Sequence, residues 1–120
     1  MKLIYVGVPI VYPLPFTRRY ALHSDLEVGW EYKGEQKKLI IYKGYITDGA
    51  SIPKALWSIM GSPYLPEYIT AAIVHDRMWE LDWEVEEMSD LFKLILKDSN
   101  VSESTSELMR TAVYVYKKIT

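Results

Sequence analysis

The periodicity of the chain changes once, near residue 50, and that change constrains the fold more than any other feature. Before it, Leu26, Val28, Trp30 and Tyr32 alternate with Asp25, Glu27, Gly29 and Glu31, the period-two pattern of a strand with one covered face. After it, apolar residues recur at three- and four-residue spacing, the pattern of amphipathic helices. Strands followed by helices predict an α+β fold. A chain of 120 residues supports one domain with a real core but not two. A single domain over residues 1–120 is therefore expected, with a sheet region at about 1–50 and a helical region at about 51–120.

In the front part, the β-branched and aromatic run Leu3 to Val8 reads as a first strand. Pro9 to Phe16 reads as irregular connection. The alternating strand is followed by a turn at Lys33-Gly34-Glu35-Gln36 and a partner strand from Lys38 to Tyr42. Lys43-Gly44 then bends the chain into Tyr45-Ile46-Thr47. The expectation is a small antiparallel sheet with one wet face.

In the back part, Ser51 is a candidate N-cap with Pro53 in the first turn. The first helix, through Ala55, Leu56, Trp57 and Met60, should stop at Gly61. Pro66 can open a second helix carrying Ile69, Ala72, Ile73 and His75 to about Glu80. Asp82 reads as the N-cap of a third helix, with Glu84, Glu86 and Glu87 in its electropositive first turn. Val85, Met88, Leu91, Phe92, Ile95 and Leu96 form its core stripe. After a break at Asn100 to Ser102, Ser102 can cap a last helix bearing Leu108, Met109, Ala112, Val113, Val115, Tyr116 and Ile119.

Charge and composition exclude several functions. With 14 basic and 16 acidic residues, the chain has no basic excess to attract phosphates, which argues against a nucleic-acid binder. Cysteine is absent, which removes disulfides, thiolate catalysis and cysteine-based zinc sites. The start, Met1 to Ile10, is interrupted by prolines and reads as a strand rather than a signal peptide. No apolar run has membrane-spanning length. These features lead to the expectation of a soluble protein of the bacterial cytoplasm.

Chemistry concentrates between Thr47 and Asp76. Thr47-Asp48-Gly49-Ala50-Ser51-Ile52-Pro53 is a turn suited to starting a helix. Ala71-Ala72-Ile73-Val74-His75-Asp76 sets an imidazole beside a carboxylate within an apolar helical run. Histidine titrates near neutrality and serves as base, acid or metal ligand. A zinc peptidase would need His23, His75 and carboxylates together, a poor donor set. Ser51 as a nucleophile with His75 as base is a further reading. Each residue also has a structural explanation. His75 can bond a loop carbonyl, Asp48 can close an Asx-turn, Asp76 can neutralise Arg77, and Trp57 and Trp79 can be core wedges. The junction of Asp48, Gly49, Ser51, Trp57, Asp76 and Trp79 would then be a latch between loop and helix.

The two motifs in combination, with Trp57, an aromatic at position 79 and a small residue before Asp90, resemble a family of small tailed-phage and prophage proteins of unknown function. The resemblance covers roughly residues 25–96. Trp79 replaces a more usual tyrosine, and Ser89 a more usual alanine. The resemblance implies phage origin and no particular activity. More distantly, the helix with His75-Asp76 is similar to the catalytic helices of phospholipase A2, above all its viral capsid versions. That similarity implies His75 as general base, Asp90 as its orienting partner and Asp76 with Asp48 as calcium ligands. The glycine-rich calcium loop of those enzymes is not matched. Helical geometry also turns Asp90 away from Met88, Phe92 and Ile95. Two functions are therefore expected. The first is a phage accessory protein that binds a phage or host protein in host takeover, anti-defence, particle assembly or lysis. The second is a calcium-assisted hydrolase with His75 as base.

Overall fold

In the computed structural model, residues 1–48 and 52–120 are described, the side chains of residues 59 and 60 aside. Among these residues the chain forms six strands and then four helices, the α+β order its periodicity predicts. Two compact units divide it, Met1–Asp48 and Gly49–Thr120. Ser51 and Gly49, both assigned to the loop and helix junction from sequence, lie outside the described residues.

The first unit holds two antiparallel three-stranded sheets where one was expected. The strands β1 (Lys2–Val6), β4 (Leu26–Tyr32) and β5 (Glu35–Ile41) pair in the order β1-β4-β5. The short strands β2 (Val11–Pro13), β3 (Tyr20–Leu22) and β6 (Ile46–Thr47) pair as β2-β3-β6. β2 falls inside the segment read as irregular. Its Pro13 is tolerated because β2 is an edge strand, where a missing N–H breaks no ladder.

On β4 the alternation holds. Leu26, Val28, Trp30 and Tyr32 are buried, while Glu27 and Glu31 are half-buried. Leu26 pairs with Ile41 and Val28 with Leu39, which completes the apolar face across the strands. The turn from β4 to β5 is tighter than expected. Tyr32 pairs directly with Glu35, so only Lys33 and Gly34 form the loop. Both have positive φ, 52° and 80°, as a type I′ turn requires, and glycine takes the second position without strain. Gly29 has a different reason for lacking a side chain. A Cβ there would lie 2.3 Å from the Tyr5 ring, which β1 lays over it while the Tyr5 hydroxyl donates to Glu27.

The second unit is built from α1 (Lys54–Met60), α2 (Ile69–Glu80), α3 (Val85–Asp98) and α4 (Glu103–Ile119). Three helix starts differ from expectation. The cap of α1 is Pro53, two residues beyond Ser51. Pro66 sits in turns before α2, whose cap is Tyr68. Asp82 caps nothing, because it closes α2 instead. Its φ is 59°, and the N–H of Trp83 reaches back to the Met78 carbonyl at 3.0 Å. That is the left-handed helix-ending pattern, and the cap of α3 is then Glu84. Asn100 closes α3 in the same way, with φ 68° and the Val101 N–H on the Leu96 carbonyl at 3.0 Å. Ser102 caps α4 as predicted, accepting from the Thr105 N–H at 3.2 Å.

The expected stripe of α3 is the centre of this unit except at its first residue, Val85, which is only half-buried. Met88, Leu91, Phe92, Ile95 and Leu96 are all at most 1% exposed. Ile95→Ala should therefore cost about 2–5 kcal/mol of stability in urea denaturation. Glu35→Ala, on an exposed strand end, should change it by less than about 0.5 kcal/mol. Equal small losses would show that this stripe is not the core.

Candidate functional site

α2 is buried without a break from Thr70 to Asp76. Over that stretch the helix offers no wet face for ionisable groups; its ion pair, Arg77 and Glu80, lies in the last turn. His75 is 1% exposed. Phe92 of α3 packs on its ring at 5.2 Å between centroids, and Trp79, one turn along α2, meets it edge-on at 6.2 Å. Trp79 in turn packs against Tyr116 of α4 at 5.7 Å. The Lys117 ammonium lies over the Trp79 ring, 4.0 Å from its centre. The result is an aromatic series, Phe92–His75–Trp79–Tyr116, with a cation over Trp79.

This setting fixes the protonation of His75. Burial pushes its pKa down from 6.5 to about 3, and the Lys117 charge pushes in the same direction. The imidazole is neutral throughout the physiological range. A general base also needs access to its water and substrate, and Trp79 and Phe92 occupy the approaches to this ring.

Asp90, the residue that the phospholipase resemblance makes the partner of His75, is not brought to it. Phe92 faces His75, and Asp90 lies two residues earlier, roughly 200° around α3. Its carboxylate instead accepts a 2.6 Å hydrogen bond from Nε of Arg110 on α4. Asp90 belongs to a row of charges that links α3 to α4. Lys93 meets Glu103 at 2.9 Å and Glu107 at 2.6 Å, and Lys97 meets Glu103 at 2.6 Å. Hydrogen bonds from Lys93 and Lys97 draw the Glu103 carboxyl down to about 2. Ser89, the small residue beside Asp90, is fully buried. Its hydroxyl has no hydrogen-bond partner among the described residues, so its size, which lets α3 pack closely, is what the structure uses.

The remaining candidates are scattered in role. Asp76 is buried at 5% exposure. Asp48, the last residue of the first unit, is exposed. Trp57 on α1 is half-buried and packs edge-on against Tyr64 at 6.4 Å. Among the described residues no group of three or more His, Asp or Glu side chains could hold a metal ion. His23 belongs to the first unit, edge-on to Tyr12 at 6.1 Å.

Sequence reasoning passed over Phe16, the most exposed large apolar side chain among the described residues. Hydrogen bonds across its ends hold the loop between β2 and β3. The Leu14 N–H donates to the Arg19 carbonyl at 3.0 Å and the Thr17 N–H to the Leu14 carbonyl at 3.3 Å. The Thr17 hydroxyl donates to the Leu14 carbonyl at 2.9 Å and accepts from the Arg19 N–H at 3.1 Å. At its tip Phe16, with φ 62°, is fully exposed. An ordered loop thus presents a large apolar ring to solvent beside Arg18 and Arg19. One signal was legible in principle: residues 1–24 contain Lys2, Arg18 and Arg19 and no acidic side chain.

Comparison with known proteins gives the chain relatives without a role. A family model described as "Protein of unknown function (DUF1353)" matches residues 24–113, a span that encloses both motifs. The chain is similar to "Uncharacterized protein y4iH" of Sinorhizobium fredii (strain NBRC 101917 / NGR234). The two are 35% identical over 92 residues, 74% of this chain and 34% of that protein. It is also similar to "Uncharacterized protein y4jT" of the same organism, 46% identical over 37 residues, 31% of this chain and 11% of that protein. The chain therefore spans about a third or less of the length of these curated relatives. No solved structure matches.

The buried neutral His75 has a signature in stability. Unfolded, it takes up a proton below its ordinary value of 6.5; folded, it does so only near 3. Stability should thus fall as pH drops through that window, by about 1.4 kcal/mol per pH unit from this residue. Urea denaturation across the window should give His75→Gln a shallower acid-side slope than the unaltered protein. Equal slopes would contradict the burial of a neutral ring.

Proposed function

The chain belongs to the DUF1353 family of proteins of unknown function, and from that premise we propose that it is a phage-encoded accessory protein that acts by binding. Its partner is an acidic phage or host protein in the bacterial cytoplasm, and its anchor is the loop between β2 and β3. Phage origin is supported by the resemblance of the Thr47–Pro53 turn and the His75-Asp76 helix to tailed-phage and prophage proteins.

The observation that carries the reading is Phe16, an exposed ring on a hydrogen-bonded loop. Leaving such a ring in water forgoes roughly 1.5–3 kcal/mol, which a receiving pocket would recover. A loop already ordered loses little entropy when it docks. Arg18 and Arg19 beside it, in a stretch free of acids, complement an acidic partner and steer its approach. The alternative hydrolase has less support, because its base is buried and neutral and its orienting acid is engaged by Arg110.

A photo-reactive benzophenone residue at position 16, introduced in phage-bearing bacterial cells, tests this. It should yield an adduct with one acidic protein, while the same residue at the exposed position 35 yields none. The adduct should vanish when Arg18→Glu and Arg19→Glu are combined. The protein should also leave short-chain and phospholipid esters intact with calcium present. Ester hydrolysis that His75→Gln abolishes would overturn the proposal, as would adducts indifferent to the arginines.

A further inference from the structure

A long, regular sheet edge is a template for another strand, because its outward N–H and C=O groups are unpaired, and native sheets blunt such edges. Among the described residues the two sheets have four edges, β1 and β5 in the first and β2 and β6 in the second. Three are blunted. The register of β1 shifts between Leu3 and Tyr5, β2 is three residues long and ends in Pro13, and β6 is two residues long. β5 has none of these devices, since all seven of its residues, Glu35 to Ile41, pair with β4 in unbroken register.

The hairpin fixes which groups β5 leaves open. Tyr32 and Glu35 close the two-residue turn as a hydrogen-bonded pair, so the bonds to β4 fall on Glu35, Lys37, Leu39 and Ile41. The other side of β4 shows the same alternation. Glu27, opposite Ile40, turns its carbonyl away from β5 and accepts from the Gly7 N–H at 2.9 Å. The N–H and C=O groups of Gln36, Lys38 and Ile40 therefore point out from the edge, and no hydrogen bond among the described residues takes them. Side chains select what can pair there. Gln36 and Lys38 are exposed and Ile40 is half-buried, and all three stand on one face, opposite Glu31, Gly29 and Glu27. Lys38 faces a glycine across the sheet and makes no ion pair among the described residues. A second copy in the antiparallel register that pairs all seven residues would set Lys38 against Lys38, which is destabilising. A strand with a carboxylate at that position gains where a copy loses.

We infer that the open edge of β5 takes an additional strand from another protein, an extended segment that presents a carboxylate opposite Lys38 and an apolar side chain opposite Ile40. Main-chain bonds to Gln36, Lys38 and Ile40 supply the attachment, and the alternate side chains supply the selection. This edge belongs to a different sheet from the loop at Phe16, and the inference does not rest on that loop.

Amide NMR of the labelled protein tests this with an end-blocked heptapeptide, threonine at its odd positions and valine, glutamate and valine at its even ones. Without peptide, the amides of Gln36, Lys38 and Ile40 should exchange with solvent much faster than those of Lys37, Leu39 and Ile41. Saturating peptide should slow the first three and leave the others unchanged. Replacing the central glutamate by lysine should weaken binding roughly five-fold or more. Lys38→Glu, at an exposed position, should reverse that preference while the melting temperature stays nearly unchanged. No amide response at millimolar peptide would overturn the inference, as would equal binding of the glutamate and lysine peptides. Protection of Gln36, Lys38 and Ile40 that grows with protein concentration alone would assign the edge to a second copy and overturn the outside partner.

Discussion

Burial of α2 governs the second unit. From Thr70 to Asp76 every residue is inside, so any polar group on that stretch must be neutral or satisfied within the protein. His75 meets this demand by staying unprotonated, stacked into the aromatic series that runs from Phe92 to Tyr116. Ionising it would place a charge in an apolar interior with the Lys117 ammonium close by. The His-Asp pair, which looks like chemistry in the sequence, is buried in its fold.

The partition of charge follows from that burial. Since α2 has little wet surface, the ion pairs collect where α3 and α4 meet solvent, with Lys93, Lys97 and Arg110 facing Glu103, Glu107 and Asp90. Exposed pairs add little individually. The apolar stripe of α3 supplies the stability, while the row of charges fixes the register of α4 against it. Once α4 is so fixed, its far side, with Leu108, Val115 and Ile119, is left facing outward.

Much of the fold was legible because it rests on local rules. The alternation on β4, the helix stop at Gly61, the Ser102 cap and the α3 stripe each depend on residues a few positions apart, and each appears as read. Two sheets in place of one, and the strand β2 with Pro13 at its edge, depend on distant pairing that periodicity does not encode. Asp82 was misassigned because the same short polar side chain suits both a cap and a left-handed turn, and the contact from Trp83 to Met78 decides between them. For the candidate site, the sequence showed that His75 lay in an apolar run and that Asp90 faced away from the stripe. It could not show that Arg110, twenty residues on, takes that carboxylate. Nor could it show that Phe92 and Trp79 meet the imidazole, since both facts arise from the packing of three helices.

The most direct test of this account is the protonation of His75 read by NMR, from the ring nitrogen and Cε1 shifts of the folded protein as pH is lowered. A neutral core histidine should keep a single tautomer with no change until the acid limit near pH 3, or until the protein unfolds, and should not respond to calcium. A midpoint near the ordinary value of 6.5, or a shift on adding calcium, would contradict it and restore His75 as an accessible, working base.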